Sequence, residues 1–220
     1  MSVRSTVVIA ALSAVAIALA GCSSSGDDKD PAPASPSVTV PVSADVTLPA
    51  GPPERTEPGD SLQWSQTAVL PADAFRPEQQ LAGFTVTGIE PGADGDLPES
   101  FTQGGTPFYV RLTITQAVDR QRNTMSTAGF AGSADGVTPA LTLTPPEGFA
   151  RCQAAERPQT LTKGQSFATC LVALADPGTQ LSRVIYWADT GEEPFDYKSA
   201  PVVWSDGSPV APSGSAVPTS

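Results

Sequence analysis

Thr106-Pro107-Phe108-Tyr109-Val110-Arg111-Leu112-Thr113-Ile114-Thr115-Gln116 is the stretch that decides the fold. Phe108, Val110, Leu112 and Ile114 stand at alternate positions, so an extended chain puts them on one face. Tyr109, Arg111, Thr113 and Thr115 take the other face. Period two with one apolar face is the signature of a strand that buries one side. Working outward, the same alternation recurs. Val184 and Tyr186 alternate with Arg183, Ile185 and Trp187; Phe84 and Val86 sit in another β-rich run. Leu62, Trp64, Ala68 and Leu70 form a first run, Leu141 and Leu143 alternate with Thr142 and Thr144, and Ala168, Cys170, Val172 and Leu174 form one more buried-looking face.

Turn chemistry separates these runs. Asp135-Gly136 is a hairpin signal, because glycine accepts positive φ. Asp176-Pro177-Gly178 reads as a tight turn, and Lys163-Gly164 and Gly104-Gly105 punctuate further. No long segment shows a 3.6-residue period; Asp73 to Leu81 is the place for one short helix. Seven or so short strands with this spacing predict an all-β, immunoglobulin-like antiparallel β-sandwich over residues 61–204, with an antiparallel barrel as the competitor. A body of that size buries roughly two-thirds of its unfolded surface, enough to fold alone.

The rest of the 220-residue chain is organised differently. Residues 1–21 read as a lipoprotein signal peptide. Arg4 supplies the positive start, and the apolar stretch from Val7 to Ala20 is too short to span a bilayer, which takes about 20 apolar residues. It runs into Leu19-Ala20-Gly21-Cys22, which resembles a lipobox, with Cys22 as the lipidated residue. Acyl chains there would hold the protein on the outer face of a membrane. Residues 22–60 read as a linker, with eight prolines and no aromatic residue after Cys22. Such a segment cannot bury enough apolar surface to offset the entropy of ordering. Its proline content favours an extended tether reaching on the order of 120 Å. Val38, Val40 and Val42 alternate like a strand within it and could pair with an edge of the body. Residues 205–220, rich in serine and proline, read as a disordered tail.

Composition excludes several functions. Acids outnumber bases 23 to 12 and the net charge is −11, while Lys29, Lys163 and Lys198 are scattered, which argues against nucleic acid. The chain has no histidine, so Ser-His-Asp and Cys-His catalysis and His-ligated zinc are ruled out. Once Cys22 carries lipid, Cys152 and Cys170 remain as a pair in an oxidising compartment, where a structural disulfide is expected. Their 18-residue spacing does not match a redox C-x-x-C motif.

Several motifs together resemble a known group. They are Gly59-Asp60-Ser61-Leu62, Val86-Thr87-Gly88-Ile89-Glu90-Pro91-Gly92, Thr106-Pro107-Phe108-Tyr109-Val110, the Cys152/Cys170 pair and Ala200-Pro201-Val202-Val203-Trp204. With the lipobox and the proline-rich linker, they are similar to actinobacterial lipoproteins carrying an immunoglobulin-like domain related to DUF4352. Gln116 departs from that pattern, which has Asn after the Thr-Ile-Thr strand. The resemblance implies the sandwich fold over roughly residues 59–204 and implies no activity, because the group is largely uncharacterised.

Candidate sites are few. Asp94, Asp96 and Glu99, with Glu90 nearby, make an acidic loop of the kind that can offer oxygens to Ca²⁺, although the EF-hand spacing is absent. Glu192, Glu193 and Asp196 make a second acidic cluster. Arg183 and Trp187 share a strand face and would form a partner-binding patch if that face were exposed. The expected function is therefore a non-catalytic module without cofactors, lipid-anchored through Cys22 on the extracytoplasmic face of the cell membrane. Its partner would be an envelope protein or a cell-wall component. The alternatives are a Ca²⁺-dependent surface module using the Asp94/Asp96 loop and an accessory subunit of a cell-wall hydrolase.

Overall fold

The computed structural model describes residues 46, 48, 51–76, 80–119, 125–153, 161–191 and 193–207. Cys22, the signal peptide and Val38–Val42 lie outside the described residues, as does Glu192. The body is an immunoglobulin-like β-sandwich. One sheet has the order β1 (Ser61–Gln63), β9 (Val202–Ser205), β8 (Arg183–Tyr186), β5 (Phe130–Ser133). The other has the order β2 (Thr67–Pro71), β3 (Leu81–Pro91), β4 (Thr106–Gln116), β7 (Ser166–Ala175), β6 (Leu141–Leu143). All pairs are antiparallel except β1 with β9, which is parallel.

The central strand behaves as its pattern predicts on one side. Phe108, Val110, Leu112 and Ile114 of β4 enter the main core between the sheets. Phe130 is the hub of that core. Its ring lies 4.9 Å from Phe84, 5.0 Å from Tyr186 and 5.8 Å from Trp204, which joins the two sheets through aromatic contacts. A β-bulge between Val86 and Gly88 shifts the phase of β3, so Ile89 and not Gly88 packs on the core beyond Phe84 and Val86.

The other side of β4 departs from the half-buried expectation. Tyr109, Arg111, Thr113 and Thr115 are all buried, Arg111 at 7% exposure. Part of the cover is a flap that runs from β6 into a 3₁₀ turn at Ala150–Cys152. A disulfide from Cys152 to Cys170 of β7 pins it, with a Cα–Cα distance of 5.3 Å. Cys152, Cys170, Val172, Leu174, Tyr109 and Leu97 form a second small core under this flap. The Ala168–Leu174 face of β7 is therefore buried on the outside of the sandwich, and Phe167, Leu171, Ala173 and Ala175 fill the inside. The bridge ties a flap to one sheet and does not cross the main core between sheets, as the antibody-domain bridge does.

Other differences are local. The first run is two strands: Ser65 adopts φ 68°, the chain turns, and β1 and β2 join different sheets. Asp135-Gly136 does make a turn, with Gly136 at φ 86°, but it links β5 to β6 across the two sheets and closes no hairpin ladder. Of the segment predicted to be a short helix, Asp73 to Leu81, the described residues 73–76 form a turn, residues 77–79 lie outside the described residues, and Leu81 already belongs to β3. A short helix lies instead at α1 (Glu99–Thr102), after Pro98, and ends at Gln103 in the left-handed conformation. Residues 54–60 are bonded to the body: Thr56 N–H donates to the Val69 carbonyl at 2.9 Å, Gly59 N–H to the Ala200 carbonyl at 2.8 Å, and the Tyr197 hydroxyl to the Thr56 carbonyl at 2.9 Å.

Candidate functional site

The acidic loop folds as a clamp. One carboxylate oxygen of Asp96 accepts from Ala93 N–H at 2.7 Å, from the Tyr109 hydroxyl at 2.9 Å and from Arg151 Nη1 at 2.9 Å. Arg151 comes from the disulfide-pinned flap, so Asp96 joins two distant loops over β4. Burial raises the Tyr109 pKa above its ordinary value, and the bond to Asp96 raises it further. Asp94 and Glu99 are exposed and take no part in these bonds. Among the described residues, no three His, Cys, Asp or Glu side chains come together as a metal-binding group. An Asp96 oxygen already held by a guanidinium and a phenol is a poor hard-cation ligand.

Arg111 lies beside this clamp. Its Nη2 donates to Glu90 at 3.1 Å and to the Arg151 carbonyl at 3.2 Å. Its Nε and Nη1 are buried without a hydrogen-bond partner.

The Arg183/Trp187 patch is not presented as expected. Arg183 is 6% exposed, and its Nη1 donates to the Ala134 carbonyl at 2.8 Å and to Ser182 Oγ at 3.0 Å. Its charge holds the turn after β5 and does not form an exposed cation. Trp187 is partly exposed and lines a different feature.

That feature is an open groove of about 570 Å³ between β5 and β6. One wall is Thr127–Ala131, the other Pro139–Thr144, with Leu171 and Trp187 completing the lining. β5 and β6 are edge strands of opposite sheets, so the groove lies where both sheets are open. The turn at its apex is rigidly held. Asp135 Oδ1 accepts from Val137 N–H at 2.8 Å and Thr138 N–H at 2.7 Å, and Ser133 Oγ donates to it at 3.0 Å. Burial pushes the Asp135 carboxyl up, but the bonds from Thr138, Val137 and Ser133 outweigh it, and the pKa falls well below its ordinary value. A second hollow of about 390 Å³ shares Pro139, Ala140 and Leu141 with the first. Large apolar side chains exposed among the described residues are Phe75, Val137 at 62% and Leu141 at 58%, and the last two belong to this turn and strand.

Sequence reasoning pointed to Trp187 and missed the groove. Its walls come from strands of different sheets, and no local pattern marks where two edges meet.

Comparison with known proteins adds little. No family model matches the chain, so the expected kinship with DUF4352 gains no support there. No curated protein matches it. Among solved structures, the chain is similar to MPT63, a secreted protein from Mycobacterium tuberculosis, at 11% identity and a TM-score of 0.45, over 66% of this chain and 95% of that one. Among the described residues, no helix is long and apolar enough to cross a membrane.

Proposed function

We propose that the protein is a non-catalytic, lipid-anchored binding module on the extracytoplasmic face of a bacterial cell membrane, with the β5–β6 groove as its binding face and an envelope protein as its partner. The groove carries this reading: it is an uncharged, partly apolar opening bounded by two sheet edges, with Val137 and Leu141 exposed beside it. Apolar exposure of this kind marks interaction sites. Two further features support the location. The lipobox ends in Cys22, and the two remaining cysteines are joined in a bond that persists in oxidising compartments.

A photoreactive amino acid replacing Leu141 in the full chain, in intact cells, tests the reading. The expected result is adducts to envelope components in the membrane fraction, absent when the same residue replaces exposed Thr87 on β3, which β4 and β7 separate from β6 in the same sheet. Equal labelling from both positions, or none from either, would overturn it.

A further inference from the structure

This inference rests on the groove being the binding face and names what enters it. We propose that the groove receives a short, extended, uncharged peptide strand, which adds its backbone to the facing edges of β5 and β6.

The backbone register carries the argument. The Gly129 carbonyl accepts from Trp187 N–H at 2.9 Å, so Gly129 and Ala131 turn their polar groups toward β8. Antiparallel ladders alternate, so Phe130 and Gly132 turn theirs away from β8. Gly132 uses that outward direction, since its carbonyl accepts from Ala140 N–H at 2.8 Å. Two residues further along each strand, the next rung would join Phe130 to Thr142. Among the described residues no backbone hydrogen bond joins them; the strands part and the groove opens at that point. Thr142, two residues from Ala140, directs its N–H and C=O the same way as Ala140, into the groove. The Phe130 N–H is already donated to the Thr127 carbonyl at 3.1 Å, so the Phe130 carbonyl and the Thr142 N–H and carbonyl are the groups left to face the groove. Outward backbone groups on a sheet edge are a template for a further strand, and main-chain pairing with pockets for alternate side chains is an established mode of peptide capture.

The lining decides the chemistry of that strand. None of the thirteen lining residues is charged, although the chain carries 23 acidic and 12 basic residues. A lysine or aspartate entering would lose its hydration and meet no counter-charge. Leu141, Leu143, Leu171 and Trp187 offer apolar contact for alternate side chains. Pro139 and Pro145 bracket β6 and cannot donate to a ladder, so the docked segment is short.

The test uses the full chain, labelled with ¹⁵N, and three probes at millimolar concentration. The first is a blocked pentapeptide alternating threonine and valine, the second the same peptide N-methylated at its central residue, the third a neutral tetramer of N-acetylglucosamine. The expected result is that the first shifts the amide signals of Thr142 and of Ala131, whose nitrogen shares a peptide unit with the Phe130 carbonyl, and that N-methylation weakens this about tenfold, as loss of one hydrogen bond would. The oligosaccharide should leave both signals unmoved. Thr142→Pro, which removes an N–H facing the groove and not β7, should weaken the peptide by a similar factor while the rest of the spectrum stays folded. A silent peptide, equal effects of both peptides, or shifts caused by the oligosaccharide would overturn the peptide assignment. In each of those outcomes, adducts from position 141 in cells still decide the broader binding reading separately.

Discussion

Replacing Cys152 and Cys170 together with alanine probes how the flap is held. The bridge spans 18 positions. In the chain-entropy account a loop of that length stabilises by about 3 kcal/mol, because it restricts the unfolded chain. For a body of this size that corresponds to a fall in Tm of roughly 6–12 °C. The folded flap keeps other attachments: the Phe149 ring lies 5.5 Å from Tyr109, the Arg151 carbonyl 3.2 Å from Arg111, and Arg151 Nη1 2.9 Å from Asp96. The native structure should therefore persist while its stability falls. Urea unfolding followed by tryptophan fluorescence would measure this. The midpoint should drop and the slope should rise, because a denatured chain without its cross-link exposes more surface. A loss below about 1 kcal/mol would refute the loop-entropy argument. A native spectrum already altered in buffer would show that the bridge holds the folded flap itself.

Three further predictions concern single substitutions. Gly132→Ala places a Cβ within 2.8 Å of Leu181 Cδ1 and 2.9 Å of Ala173 Cβ, so overpacking should cost about 1–3 kcal/mol in the same unfolding assay, while Gly88→Ala, with nothing within 4 Å, should be neutral or slightly stabilising. Asp135 has a folded pKa below its unfolded one, so its contribution is present above the ordinary value of 3.8 and is lost as pH falls below it; Asp135→Asn should flatten that part of the stability profile, and an unchanged acid limb would contradict the assignment. Cys22→Ala should release the protein from membranes or leave an uncleaved precursor, whereas mature, membrane-bound protein on fractionation would remove the anchor from the proposal.

Alternation in β4 was enough to place Phe108, Val110, Leu112 and Ile114 in the core, because the inner face of a sandwich strand obeys local periodicity. The same letters suggested solvent for Tyr109, Arg111, Thr113 and Thr115. Their burial depends in part on a flap that is distant in sequence and tied down by Cys152 and Cys170, and periodicity carries no information about that cover. The change of sheet at Ser65 was hidden for another reason. Serine at positive φ gives no glycine or proline signal, so Leu62 to Leu70 reads as one run. Asp135-Gly136 showed its turn but not its partners, since turn chemistry is local and strand pairing is not. The candidate site inherits this limit: Trp187 stood out as a residue, while the groove exists only once Phe130 and Thr142 are seen to part.

The parallel pairing of β1 with β9 has a mechanical meaning. Ser61 lies beside Val203 and Gln63 beside Ser205, so the chain enters this pair at one end and leaves it at the other. A pull between those two points acts along the strand axes. The rungs, including Trp64 N–H to the Ser205 carbonyl at 3.0 Å and Val203 N–H to the Asp60 carbonyl at 2.9 Å, then share the load in shear and must rupture together, where an antiparallel end pair would unzip one rung at a time.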